Sequence, residues 1–315
     1  MKSTETSAGS APDAASIRIR VPASTSNLGP AFDAAGIALR LYLYVEVARK
    51  DRGASNIDFL GQDAHLIPRD GTNLIWRTMA EVAEQSGRQL PSFSMKIENE
   101  IPITKGLGSS ASACLAAAAA ADFLCGLKLP REEWLKIATA RDGHPDNAAP
   151  ALYGGLVSSI AGERILCSRA VFPPEWTIVA VTPEFELETK KARSVLPAEI
   201  PYRDAVFNLQ RVAFLISQLS QGRRDGIREA MKDRLHQPYR GPLIPGLQEI
   251  LDMDDEPGLI GRALSGAGPT VVALADSCEN DIAENMCRIF RSRGLHAEAR
   301  LLEADNEGLA VTVPE

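Results

Sequence analysis

The sequence predicts an α+β fold built as two units, and three observations carry that reading. Period-two segments and long apolar-periodic segments mix in both halves, without the strict strand–helix alternation of a doubly wound parallel sheet. The length, 315 residues, exceeds what one core ordinarily serves. Hydrophobic residues make up 45% and charged residues 24%, ordinary globular usage that supports a sizeable core.

The elements follow in chain order. Residues 1–16 are rich in Ser, Thr and Ala, with no charged start leading into an apolar run, so they read as a flexible tail rather than a signal peptide. Ile17, Ile19 and Val21 alternate with Arg18 and Arg20 and predict a strand. Pro22 to Asp33 reads as a polar loop, and Leu39 to Ala48 as a second strand. Thr72 or Asn73 can cap a helix running to about Ser86, stopped by Gly87. Phe93, Met95 and Ile97 alternate with polar residues in a strand just before Pro102. Ser109 to Cys125 is dominated by alanine, the strongest helix former, and Gly126 is placed to end that helix. Its small side chains permit close packing against a sheet. A further helix covers Arg131 to Ala140.

The second half opens near Ala170, giving units at 17–169 and 170–315. Trp176 to Val181 reads as a strand. Tyr202 to Ser220 reads as a long helix with Val206, Leu209, Val212, Ala213, Ile216 and Leu219 on its apolar side. Leu259 to Leu264 and Thr270 to Ala275 are strands around a glycine-containing loop. Asn280 to Arg293 is a helix stopped by Gly294, and His296 to Leu302 is a strand.

Composition excludes several function classes. The net charge of −7 opposes broad nucleic-acid or anionic-membrane binding, which needs a basic surface. No run of 18 uncharged apolar residues predicts a membrane span. Cys114, Cys125, Cys167, Cys278 and Cys287 form no CxxC pair, are odd in number and partly sit in apolar helical stretches. They read as buried, reduced thiols in a cytoplasmic protein.

The most informative stretch is Pro102-Ile103-Thr104-Lys105-Gly106-Leu107-Gly108-Ser109-Ser110-Ala111-Ser112, between a strand and a long helix. Glycines allow a sharp turn and close approach of a ligand, and the first helix amides lack intrahelical partners. Together with the helix dipole, the serine hydroxyls and Lys105, this is what a polyphosphate requires. The Walker A pattern fails, because no Gly-Lys dipeptide occurs. Gly106-x-Gly108-x-x-Ala111 satisfies the dinucleotide fingerprint, but helix follows where that fingerprint needs a strand ending in an acid. A different phosphate loop and a helix cap that binds nothing both stay open on these residues alone.

The same loop resembles the ATP loop of the GHMP small-molecule kinases. Two more stretches match in order: Pro22-Ala-Ser-Thr-Ser-Asn-Leu-Gly-Pro-Ala-Phe-Asp33 resembles the first family motif, and Leu264-Ser-Gly-Ala-Gly-Pro-Thr270 the third. Gly143-His-Pro-Asp-Asn-Ala-Ala-Pro-Ala-Leu-Tyr-Gly-Gly155 resembles the homoserine kinase branch in particular, and Leu235-His-Gln-Pro-Tyr-Arg240 and Thr189-Lys-Lys-Ala-Arg193 also fit it. The resemblance runs from about Ile17 to the C-terminus. It implies an N-terminal domain of the ribosomal protein S5 domain 2-like type, with a left-handed βαβ crossover, and a ferredoxin-like C-terminal domain. It implies ATP-dependent phosphorylation of the L-homoserine side-chain hydroxyl in threonine biosynthesis, with ATP and Mg²⁺, and a homodimer.

The resemblance also implies site residues, each with a plainer local reading. Asn27 and Asp33 suit turns equally well, yet in the family they line the amino-acid site. His144 and Asp146 would contact homoserine and Asn147 would lie near its reacting hydroxyl, although Asp-Asn before Ala-Ala-Pro also suits a helix cap. Arg193 and Arg240 would grip the substrate carboxylate with paired hydrogen bonds, where local sequence alone reads surface arginines. Asn147, Asp146 and Arg193 are the expected catalytic residues, in a mechanism that rests on positioning rather than on a dedicated base. Ser110 and Asp142 are the expected Mg²⁺ ligands; Asp142 stands where the family commonly has glutamate. The first motif departs from the usual form with Thr25-Ser26 for Ser-Ala and Ala31 for Gly, which requires Ala31 to avoid a positive φ. A sister kinase for mevalonate-pathway or sugar substrates, a non-catalytic amino-acid or nucleotide sensor, and more distantly a dinucleotide oxidoreductase are the alternatives.

Overall fold

Residues 15–254 and 256–314 are described in a computed structural model of the chain. Residues 1–14, most of the expected tail, lie outside the described residues.

The first strand, β1 (Ser16–Asn27), pairs antiparallel with β2 (Ala31–Arg49) along its length. The stretch expected as a loop from Pro22 to Asp33 is therefore strand on both sides of a turn at residues 28–30. Its polar side chains read as loop, but Ser24, Thr25 and Ser26 are fully buried and hydrogen-bonded, which is what strand pairing needs of them. Ala31 avoids the left-handed region, as expected.

A parallel pair, β3 (Asn56–Gly61) and β4 (Phe93–Asn99), is joined through α1 (Leu74–Gln85). Asn73 caps α1, its Oδ1 accepting from the amides of Ile75 and Trp76. Then come α2 (Ser109–Cys125), α3 (Arg131–Asp142), α4 (Ala148–Tyr153) and the hairpin β5 (Leu156–Ile160) and β6 (Leu166–Ala170), which joins the sheet by pairing β5 with β2. Alanines 116–121 of α2 are all buried. A helix apolar on every side belongs in the interior, and methyl groups let it lie close to α1, α3 and the sheet at once.

The second unit holds β7 (Thr177–Pro183), α5 (Thr189–Ser194), α6 (Tyr202–Ser220), α7 (Ile227–Ala230), α8 (Gln237–Arg240), α9 (Leu247–Leu251), β8 (Leu259–Leu264), β9 (Val271–Ala275), α10 (Glu279–Ser292) and β10 (Ala297–Leu302). Its antiparallel sheet runs β10-β7-β9-β8, with helices between β7 and β8 and between β9 and β10. That is the expected ferredoxin-like arrangement. The period of two is visible in β7. Ile178 and Ala180 face the core shared with the first unit, while Val179 and Val181 face α9 and α10.

Further features depart from the sequence expectation. The buried residues of α6 are Asn208, Leu215 and Leu219, while Leu209 is 65% exposed. The helix is rotated because Asn208 is anchored: its Nδ2 donates to Pro30 O and Asp233 Oδ1, and its Oδ1 accepts from the Arg234 amide. In addition, β11 (Ala310–Thr312) pairs with β1, so the chain crosses back from the second unit to the first sheet. All five cysteines are free, but Cys167 and Cys278 are exposed rather than buried.

Candidate active site

A cavity of about 440 Å³ opens on the seam between the two units. The β1–β2 turn delivers Asn27 and Asp33, and the end of α3 delivers Asp142. The following turn adds His144, Asp146 and Asn147. From the second unit come Arg193 on α5, Arg240 on α8 and Gly266 in the loop after β8. Every expected substrate and metal residue lines this one space. Of the glycine loop, Ile103, Thr104, Lys105, Gly106, Gly108, Ser109, Ser110 and Ala111 line it, and Pro102, Leu107 and Ser112 do not. Leu107 is core, and the Ser112 hydroxyl is spent on the carbonyls of Pro22 and Gly108.

The loop is shaped by close approach. Gly106 and Gly108 have φ of 82° and 73°, the left-handed region that glycine enters without strain. A Cβ on Gly106 would overlap the Ser265 carbonyl of the second unit, and one on Gly108 would overlap Ser24 Oγ. Gly108 is the N-cap of α2 and offers no side chain, so the first amides of that helix are left open toward the cavity. The second unit grips the loop as well: Ser265 Oγ donates to Gly106 O at 2.7 Å, and the Thr270 amide to Lys105 O at 3.2 Å. The Lys105 ammonium donates to Phe185 O, again across the seam, rather than standing free above the loop.

The same cavity holds a cluster of charge. Arg193 pairs with Asp33, and His144 Nδ1 bonds Asp146 Oδ1. Burial alone would lower the His144 pKa, but its hydrogen bond to Asp146 and the charges of Asp146 and Asp33 outweigh that and raise it. The polar atoms of Asp33, His144 and Asp146 lie within 4.8 Å of one another. Their charge is already met, since both Asp33 oxygens take Arg193 and His144 Nδ1 is used by Asp146, so the group reads as an ion-pair network rather than a metal site. His144 Nε2 and Asp146 Oδ2 are buried without a partner, leaving one imidazole nitrogen and one carboxylate oxygen unspent beside the cavity.

Arg240 is 1% exposed, not a surface arginine. Its Nε donates to Ala192 O, and its Nη1 to Gly266 O and to His236 Nδ1. A guanidinium only donates, so His236 Nδ1 accepts, and Nε2 carries the proton given to Gly29 O. Burial lowers the His236 pKa, in keeping with that neutral ring. Burial, then the nearby Arg193 charge, pulls the Arg240 pKa down to about 10. Phe32 stacks on His236, and both guanidinium groups lie over its ring. Asn27 spends both ends of its amide, accepting from the Asp33 amide and donating to Gly266 O.

Ser110 Oγ donates to Asp142 Oδ1 at 3.4 Å. Burial raises the Asp142 pKa, so its charge lacks sufficient compensation in the protein alone. The Ser110 hydroxyl and an under-compensated carboxylate beside the glycine loop fit a hard divalent cation.

Sequence reasoning missed other parts of the site. Leu43, Phe59, Ile67, Pro68 and Ile75 add apolar side chains to the lining of the cavity. They come from separate elements, and no local pattern marks them. Ser24 and Ser26, which hold Asn147, stood in view as hydroxyls within the first motif.

Comparison with known proteins supplies the family context. The description "GHMP kinases N terminal domain" matches residues 73–155, and "GHMP kinases C terminal" matches residues 215–292. The chain is 41% identical over 297 residues to a homoserine kinase of Desulfitobacterium hafniense, covering 94% of this chain and 99% of that one. The structure superposes on the crystal structure of homoserine kinase from Cytophaga hutchinsonii with a TM-score of 0.82 at 25% identity, covering 99% of both chains. Mevalonate kinase of L. major shares the fold, with a TM-score of 0.67 at 16% identity over 90% of this chain and 94% of that one.

Proposed function

The chain belongs to the homoserine kinases of the GHMP kinase family, and from that premise we propose how its residues divide the reaction it catalyses, the ATP-dependent phosphorylation of L-homoserine to O-phospho-L-homoserine in threonine biosynthesis. The observation that carries the division is that an open helix N-terminus and a cluster of both charge signs line one cavity.

The triphosphate of ATP binds the open amides at the start of α2 and the Ser109 and Ser110 hydroxyls, where the helix dipole favours negative charge. The base lies against the wall of Leu43, Phe59, Ile67 and Pro68. L-homoserine sits opposite: Arg193 and Arg240 take its carboxylate, and Asp33 takes its ammonium. His144 and Asp146 complete the amino-acid pocket with their unspent atoms. This puts the side-chain hydroxyl beside Asn147 and the phosphate loop. Its oxygen attacks the γ-phosphorus, the bond to the bridging oxygen breaks, and ADP and a proton leave. Asp33 and Asp146 are already ion-paired, so catalysis rests on alignment and on stabilising phosphate charge. Ser110 and Asp142 would hold Mg²⁺, which neutralises phosphate charge when bound.

Five unpaired cysteines fit a cytoplasmic setting, where thiols stay reduced. Among the described residues no helix is long and apolar enough to cross a membrane. A homodimer is part of the same proposal; sedimentation of the purified chain at twice its monomer mass supports it, and monomer mass overturns it.

A coupled ADP-release assay over homoserine, threonine, serine and mevalonate tests the reading. Turnover with homoserine is expected. Phosphorylation of mevalonate but not homoserine would reassign the pocket, and ligand binding without ADP release would make the protein a sensor.

A further inference from the structure

Three consecutive residues of β1 carry hydroxyls, and the strand sends them to two faces. Thr25 faces the second unit, where its hydroxyl donates to Ser265 Oγ at 2.8 Å, the Ser265 proton being given to Gly106 O. Ser24 and Ser26 point the other way, as the period of two requires. They close on the two ends of a single carboxamide. Ser24 Oγ donates to Asn147 Oδ1 at 3.0 Å, and Asn147 Nδ2 donates to Ser26 Oγ at 3.0 Å. Both serines are fully buried, so neither hydroxyl trades its partner for water.

Two anchors on opposite ends of a planar group fix its plane. One N–H of Nδ2 and one lone pair of Oδ1 remain unspent on Asn147. The held amide stands where the two halves of the site meet. A Cβ on Gly108 would overlap Ser24 Oγ and lie 3.2 Å from Asn147 Oδ1, so the phosphate loop rests directly on this group. On the other side, the Gly266 amide donates to Ser26 O at 3.1 Å, and Asn27 follows Ser26 into the amino-acid pocket.

We propose that Ser26 is a positioning residue for phosphoryl transfer: with Ser24 it holds the Asn147 carboxamide in the plane that steadies the homoserine hydroxyl beside the phosphate loop. The proposal rests on the kinase reading above. Ser26 stands at the cavity wall, but its side chain is fully buried and its Oγ is taken by Asn147 Nδ2, so it acts on the substrates through that amide. Its effect therefore falls on the reacting geometry and not on ground-state binding, and it is felt only through Asn147.

Steady-state kinetics of the full chain, with Ser26→Ala, Asn147→Ala and the double variant, test this. Ser26→Ala is expected to lower kcat about tenfold, the kinetic equivalent of one buried hydrogen bond, with both KM values within about twofold. Asn147→Ala is expected to cost more, and the double variant no more than Asn147→Ala alone. An unchanged kcat in Ser26→Ala, a loss confined to KM, or a double variant whose losses multiply would each overturn it. Thermal melting checks the fold of each variant. Should Ser26→Ala melt early, Ser26→Cys and Ser24→Ala carry the same expected split between kcat and KM. Homoserine-dependent turnover by the unaltered chain is measured alongside; its absence would count against the kinase reading, not against the Ser26 assignment alone.

Discussion

Arg193 holds both oxygens of Asp33, Nη1 on Oδ2 and Nη2 on Oδ1, each at 2.9 Å. Asp33 comes from β2 and Arg193 from α5, so the pair bridges the two units. An amino-acid zwitterion carries the same two charges. It can exchange partners with the pair, its ammonium meeting Asp33 and its carboxylate meeting Arg193, so that neither protein charge is left alone. Asp33→Asn is expected to raise KM for homoserine by about tenfold or more while leaving KM for ATP nearly unchanged, a loss of one charge-assisted contact. The pair is partly exposed, so the melting temperature should move little, by about 1 kcal/mol or less of stability. An unchanged homoserine KM would remove Asp33 from the ammonium site.

Arg240 should behave differently, because it is buried among carbonyls and a histidine. Arg240→Ala strands Ala192 O and His236 Nδ1 in the interior and leaves Gly266 O with Asn27 as its remaining donor. We expect a loss of about 2–4 kcal/mol in urea unfolding along with loss of homoserine turnover. Arg193→Ala, on the exposed side of the same pocket, should raise KM with little change in unfolding. Equal stability losses in the two variants would contradict the burial difference.

The His144 imidazole should titrate above the ordinary value near 6.5, and Asp146→Asn should bring it down; the Cε1 proton shift in NMR reads both. The sign for stability follows. A folded pKa raised above the unfolded one means that the folded state binds the proton more tightly. The contribution is full below about pH 6.5, and it fades as pH rises through the folded value. A His144→Gln variant should therefore lose more stability at pH 5 than at pH 9. The reverse order would contradict the raised pKa.

Asp142 is the opposite case of a charge that costs. Burial raises its pKa, so the folded state prefers it protonated and loses stability as pH rises between the unfolded and folded values. At neutral pH without metal, Asp142→Asn should melt at a higher temperature than the unaltered chain. Added Mg²⁺ with a non-hydrolysable ATP analogue should raise the melting temperature of the unaltered chain and move the variant much less. An equal response of both would remove Asp142 from the cation site.

Much of this was legible from order along the chain. The α2 helix and its stop at Gly126 followed from propensity and capping chemistry alone, and Asn73 is one of the two caps, Thr72 or Asn73, that the sequence offered for α1. The ferredoxin-like unit followed from a resemblance that a sheet order of β10-β7-β9-β8 then matched. Legibility failed where burial overrides character. Ser24–Ser26 looked like loop because hydroxyls usually face water, and a strand that satisfies them internally leaves no local trace. The Leu209 stripe of α6 lost to one polar side chain, Asn208, whose partners lie far off in sequence. Nothing near Arg240 announces that it is interior, and nothing near Ala310 announces its return to β1. The site was therefore visible as residue types, while the couplings among them were not.

The alanine run in α2 bears on more than packing. With methyl groups alone at positions 116–121, the buried face of the helix carries the smallest side chains that still have a Cβ. No rotamer can give way there, so a bulkier residue must translate the rod as a whole, and with it the open N-terminus at Gly108. Changes about two to four turns along the helix from Gly108 would then act as a ruler shift upon the site, which makes this stretch as intolerant of growth as the glycines themselves.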